Sequence, residues 1–284
     1  MQPQFIQLKK KRDPRRFKAH KTFGTFPIEQ VPNTFNFQRP EIKDQIDTNF
    51  CSGFAGAYMI EKETGITMSP EYIIQKEVSI SGYDPNNFFG VDVDTSHKAV
   101  YRYGTIKQSD SPFTVGKDTS SKIANPENWD IGLDNIAIDP FHSSFEIKKD
   151  GYKDLFDAMR ATMWSQKVWL DCAGYFVPEW MYASKGMIPK QFIKQEINGH
   201  KFVICDSVEI NGEPYLVIAN SWGKRMGDNG FYYLPREAAN TLFDVSIYTK
   251  EDPTNIKQQQ WNLIVKILDY MITMLRKIKV SIKI

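Results

Sequence analysis

Apolar positions along this chain fall into two kinds of pattern. In Phe50–Thr64, small and apolar residues fill the first half on every side of a helical turn, which predicts a helix buried all round. Asn49 reads as its N-cap and Gly65 as the residue that closes it. A second helix is expected near Ser69–Ser79, with Ser69 as cap and Pro70 in its first turn, and a third near Asp94–Tyr103. Leu155, Phe156, Met159 and Met163 mark a fourth, near Tyr152–Trp164. Lys167–Gly174 reads as a strand, as do the apolar runs around Cys205 and Tyr215–Ala219, and Gly227-Asp-Asn-Gly230 as a turn before another. Prolines at 27, 32 and 40 make Phe26–Asp47 extended or looped, and 116–150 reads as polar and irregular.

The C-terminal stretch has a different period. Trp261, Leu268, Leu275 and Ile282 recur every seven residues, and Ile264, Met271 and Ile278 complete an a/d heptad. Lys266 and Asp269 interrupt the run, so it is too short and too charged to span a bilayer. Three readings stay open: a helix folded back on the chain, an oligomerisation or partner helix through Trp261–Ile282, and a helix in peripheral contact with a membrane. The period-two alternation of Lys277–Ile284 also fits an edge strand.

Composition narrows the classes. With 284 residues, 41% hydrophobic and 13% aromatic, the chain can build one large domain or two lobes with real cores. A net charge of +2 gives no reason to expect a nucleic-acid partner. Three cysteines allow at most one disulfide, which fits a reducing compartment. No apolar stretch follows the Lys9–Lys18 basic cluster in the manner of a secretory signal, and the cluster reads as a solvated arm, with docking to an acidic surface as the alternative. The expected location is cytoplasmic, with a virus particle as second choice and a prokaryotic or viral source. His20, His97, His142 and His200 show no HExxH spacing and the cysteines no CxxC, so neither a metal nor a cofactor is expected. His97 reads as a surface histidine, and Cys172 and Cys205 as inert core thiols.

The candidate chemistry sits in two stretches far apart in the sequence. Gln45 lies six residues before Cys51 at the head of the predicted buried helix, where helix-terminal N–H groups favour a thiolate. Downstream come Gly199-His200, then Asn220-Ser-Trp222-Gly223. In this order the residues resemble the papain-like (C1 family) cysteine peptidases, over about 31–234. The resemblance implies an α+β fold of two lobes, helical over about 45–145 and β-rich over about 146–250, with a substrate cleft between them. The peptidase domain would span 27–252, between a basic extension (1–26) and a helical tail (253–284). The extension is too short to be the long inhibitory propeptide usual in such enzymes.

By the same resemblance, Cys51 is the nucleophile, His200 its acid–base partner and Asn220 the residue that orients the imidazole. Trp222 shields that contact, and Gln45 supplies an oxyanion donor. Gly90, Val91 and Gly199 correspond to substrate-binding positions, although only one glycine of the usual pair remains at Gly90-Val91. Tyr182–Ile188 matches the loop and strand before the histidine. Thr48 stands in place of a disulfide cysteine and Ser52 in place of a tryptophan, which is expected to loosen the cleft wall. Ser52, Val91 and Lys201 are expected to line the cleft and alter specificity, with Lys201 adding positive charge on the leaving-group side. The implied activity is hydrolysis of peptide bonds in protein or peptide substrates. The alternatives are a catalytically weak binding or assembly protein that uses the tail, and a thiol hydrolase of cell-wall peptide crosslinks.

Overall fold

The computed structural model describes residues 17–83, 90–111, 136–191 and 199–250, together with Leu268 and Met271. Three helices stand on one side. Helix α2 (Cys51–Thr64) packs against α3 (Pro70–Ser81) and α4 (Val93–Tyr103). All of Cys51–Ile60 is buried, as the all-round apolar pattern requires. Two glycines allow the close packing. A Cβ on Gly53 would stand 2.5 Å from the Pro70 carbonyl oxygen, and one on Gly56 2.6 Å from Val100 Cγ2. The caps of α3 and α4 are side chains: Ser69 Oγ accepts from Tyr72 N and Asp92 Oδ1 from Thr95 N. For α2 the expectation fails, because Phe50 and not Asn49 occupies the N-cap, without a side-chain bond. The tight turn before it, in which Thr48 N and Oγ1 both bond Gln45 O, delivers the chain directly to Cys51. Gly65 closes α2 at φ 68°, as expected of a glycine there.

The other side is a seven-stranded sheet. In spatial order it runs β1 (Phe17–Lys18), β2 (Ser143–Glu146), β7 (Leu242–Thr249), β3 (Leu170–Tyr175), β4 (Gly199–Ile210), β5 (Glu213–Ala219) and β6 (Phe231–Leu234). Every pair is antiparallel except β1–β2. Period-two alternation divides the central strands between two cores. Phe202, Ile204, Leu216 and Ile218 face α5 (Leu155–Gln166) and the short α6 (Pro178–Met181), among Phe156, Phe176 and Trp180. Val203, Cys205, Val217 and Ala219 face Ala55, Tyr58 and Ile60 of α2. Cys172 and Cys205 lie fully buried, and all three thiols are free.

Several expectations change here. The Lys9–Lys18 cluster lies outside the described residues except for Phe17–Lys18, which join the sheet as β1; α1 (Ala19–Phe23) follows and buries Ala19 and Thr22. Ser143–Glu146, within the stretch read as irregular, is a sheet strand with Phe145 in the core. It also puts a sheet strand at the end of the span assigned to the helical lobe. The strand expected before the histidine is a 3-10 turn at Ser184–Gly186, followed by a single bridge from Met187 to Tyr233. The heptad readings of the tail lie outside the described residues, apart from Leu268 and Met271, which are helical and exposed.

Candidate active site

Cys51 is the first residue of α2, and its neighbours come from the sheet. It packs against Ala173 of β3 and Val93 of α4. The backbone N–H of Lys201 on β4 acts on its sulfur to lower the thiol pKa. Ala173 pairs with Lys201, and the adjacent pair is Gly174 with His200, so β4 carries its histidine immediately beside the residue paired with Ala173.

The imidazole is fixed on two sides. His200 Nε2 lies 2.8 Å from Asn220 Oδ1, and the same oxygen accepts from Ser221 N at 2.7 Å. A backbone N–H can only donate, so that atom must be the amide oxygen and His200 Nε2 must carry the proton. Nδ1 is therefore the nitrogen left to exchange a proton. Trp222 stacks on the ring at 4.5 Å between centroids, and Phe176 meets it edge-on at 5.5 Å. Phe176, from the loop after β3, had no signal in the sequence, because nothing local distinguishes a phenylalanine that packs on the histidine from any other core phenylalanine.

Gln45 is locked to the Asn220 segment. Its Oε1 accepts from Ser221 Oγ at 2.5 Å, its backbone N–H bonds Ser221 O, and its Nε2 donates to Thr48 O. An amide nitrogen carries two hydrogens, so one donor remains for a ligand. Asp44 bridges to Trp222, and Gly223 N bonds Lys43 O, which zips 43–45 to 221–223. Tyr58 OH completes the tie, accepting from Lys43 N and donating to the Asn220 carbonyl.

Burial sets the resting charges. It pushes the Cys51 thiol up to about 12, against the opposing backbone bond from Lys201. It pulls the His200 imidazole down to about 4, against the bond from Asn220. Both shifts favour the uncharged forms, opposing the thiolate expected from the helix head.

Of the substrate-binding candidates, Gly90 has left-handed backbone (φ 95°), Val91 buries its side chain, and Gly199 opens β4 opposite Tyr175. Val93, two positions further on and the first residue of α4, packs with Cys51. Two cleft assignments are corrected. Lys201 has 0% exposure, because strand alternation turns it to the face opposite His200, toward the helices. Its ammonium lies 2.9 Å from Asp171 Oδ2 and donates to Ser96 Oγ. Ser52 is also buried, and donates to Glu77 Oε2 at 2.7 Å, so it anchors α2 to α3 instead of loosening a wall. His97 is not on the surface: at 2% exposure, its Nε2 lies 3.3 Å from Asp244 and 3.5 Å from Asp171.

Comparison with known proteins places this geometry. The family model "Papain family cysteine protease" matches residues 36–250. The chain belongs to that family and is a cysteine peptidase, a hydrolase of protein or peptide substrates. Among solved structures it is similar to xylellain, a cysteine protease from Xylella fastidiosa. That match has 16% identity and a TM-score of 0.68, and covers 87% of this chain and 96% of the other. It is similar also to the digestive procathepsin L 3 of Tenebrio molitor larval midgut, at 16% identity and a TM-score of 0.60, covering 82% and 76%. A search of curated proteins gave no match.

Proposed function

We propose that this chain is an endopeptidase in which Cys51, His200 and Asn220 form the catalytic triad and Gln45 serves the oxyanion. The observation that carries the reading is the doubly held Asn220 oxygen, which fixes the His200 tautomer on the strand whose next residue pairs with Ala173, the residue packed on Cys51. In the first step Cys51 Sγ gives its proton to His200 Nδ1 and its electron pair to the substrate carbonyl carbon. Charge moves to the carbonyl oxygen, which accepts from the second Gln45 Nε2 hydrogen and from the Cys51 backbone N–H at the head of α2. The tetrahedral adduct expels the amine as His200 returns the proton to its nitrogen, leaving a thioester on Cys51. Water then attacks, deprotonated by His200, and the carboxylic acid and free thiol are released.

The uncharged resting pair gives opening of the cleft a role in this scheme. Water or substrate entering beside Cys51 relieves the desolvation that disfavours the thiolate and imidazolium. An extended peptide would run past the backbone of Gly90, Val91 and Gly199, where main-chain groups can pair with it irrespective of side chain.

The test is hydrolysis of an internally quenched peptide library. Cys51→Ala and His200→Ala are expected to abolish turnover, and Gln45→Ala to lower kcat by about 100-fold. Asn220→Ala should lower it less than His200→Ala, since it frees the imidazole to rotate without removing it. Turnover that persists in Cys51→Ala would refute the assignment.

A further inference from the structure

Behind Cys51 lies a buried polar cluster that the catalytic scheme does not use. It begins at the next residue of α2, where Ser52 bonds Glu77 of α3. Ser96 of α4, whose hydroxyl receives the Lys201 ammonium, lies near enough to Glu77 to favour its ionised form. Lys201 pairs with Asp171 of β3, which accepts in addition from Tyr248 OH of β7 and faces His97 of α4. Asp244 of β7 closes the cluster on His97. Five packed elements thus place one lysine, three carboxylates and a histidine where water does not reach, and bury them against the helix whose first residue is the nucleophile.

We propose that Lys201 is a positioning residue for the nucleophile: its ammonium, held by Asp171 and Ser96, favours ionisation of Cys51, and Glu77 governs how much of that charge Cys51 receives. The inference rests on the reading of Cys51 as nucleophile. Charge counting gives the sign. With Glu77 ionised, its carboxylate offsets Lys201 beside the thiol; with Glu77 neutral, the ammonium acts on the sulfur more fully. Cys51 feels both groups, Lys201 lowering its pKa and Glu77 raising it. Burial lifts Glu77 itself to about 7, against the bond from Ser52, the nearby Ser96 hydroxyl and the charge of Lys201, so its protonation changes in the neutral range. Strand alternation makes the arrangement available, since the residue after the catalytic histidine must point at α2 from the far face of β4.

The experiment measures the rate of iodoacetamide alkylation at Cys51, located by mass, from pH 5 to 9 in the full-length chain. Circular dichroism and a thermal melt confirm that each variant is folded. Glu77→Gln keeps an acceptor for Ser52 but removes the charge. It is expected to speed alkylation about tenfold at pH 8.5 and to leave it unchanged at pH 5, where wild-type Glu77 is already neutral. Lys201→Met is expected to slow alkylation about tenfold at both pH values. A structural role alone would move the rate of Glu77→Gln equally at both. A folded Glu77→Gln variant with the wild-type profile, or with a rate ratio independent of pH, overturns the proposal even if Lys201→Met does not fold. Retention of peptide hydrolysis by Cys51→Ala would instead overturn the underlying assignment, whatever the alkylation profiles show.

Discussion

At the scale of single residues, the chain puts side chains of contrasting fate next to each other. His200 enters an aromatic setting with one polar partner, whereas Lys201 enters an apolar interior and must find a carboxylate there. Glu77 carries a stability consequence of the same kind. Its folded pKa, about 7, lies above the ordinary 4.5 of a glutamate. The folded chain therefore holds a proton that the unfolded chain releases between those values, and its stability falls as pH rises through that window. In urea denaturation at pH 5 and pH 8, the wild type should lose up to about 3 kcal/mol more than Glu77→Gln across the interval. Equal losses would mean that Glu77 titrates as an exposed carboxylate.

At the scale of elements, α2 is the piece on which the site depends, and its sequence explains why it can be so deeply set. Gly53 and Gly56 present no side chain where α3 and α4 cross it, so the helix head can reach the sheet with Cys51 at its tip. Gly53→Ala improves intrinsic helix propensity, yet its methyl would press on the Pro70 carbonyl and on Ile74. Overpacking of this kind costs about 1–3 kcal/mol. A net loss of stability in chemical denaturation, together with slower peptide turnover, is the expected result; a gain would show that α3 yields freely. The pattern of residues 50–64 announced this helix and its glycine stop, but not its cap. The turn before it is held by Thr48 and Gln45 backbone bonds that depend on where the chain comes from.

At the scale of the whole molecule, the candidate catalytic groups come from distant stretches of the chain and are joined through a few ties. Tyr58 is one, bonding both Lys43 N and the Asn220 carbonyl from the middle of α2. Tyr58→Phe removes the hydroxyl and leaves the Lys43 N–H without this acceptor. The expected outcome is a loss of about 1–2 kcal/mol in stability, with kcat/KM reduced by a larger factor than that of a control surface mutant. Unchanged kinetics would show that the zip between 43–45 and 221–223 holds alone. The N-terminal strand β1 belongs to this scale also. Read locally, Phe17-Lys18 ends a basic run; only the free edge of β2 gives it a partner.

The sequence by itself determined the family, the helices α2 to α4 with most of their ends and the central strands, and its resemblance to that family singled out Gln45, Cys51, His200, Asn220 and Trp222 as candidates. These are carried by local periodicity, capping chemistry and motif spacing, which act between residues close in the chain. The tertiary structure alone decided where Ser52, His97 and Lys201 point, that Ser143–Glu146 is a strand, and that Phe176 walls the histidine. It also set the direction in which burial moves Cys51 and His200, toward their uncharged forms. Those outcomes depend on desolvation and on partners brought from distant parts of the chain: a lysine or histidine reads as a surface residue until a fold supplies the buried carboxylates that keep it inside.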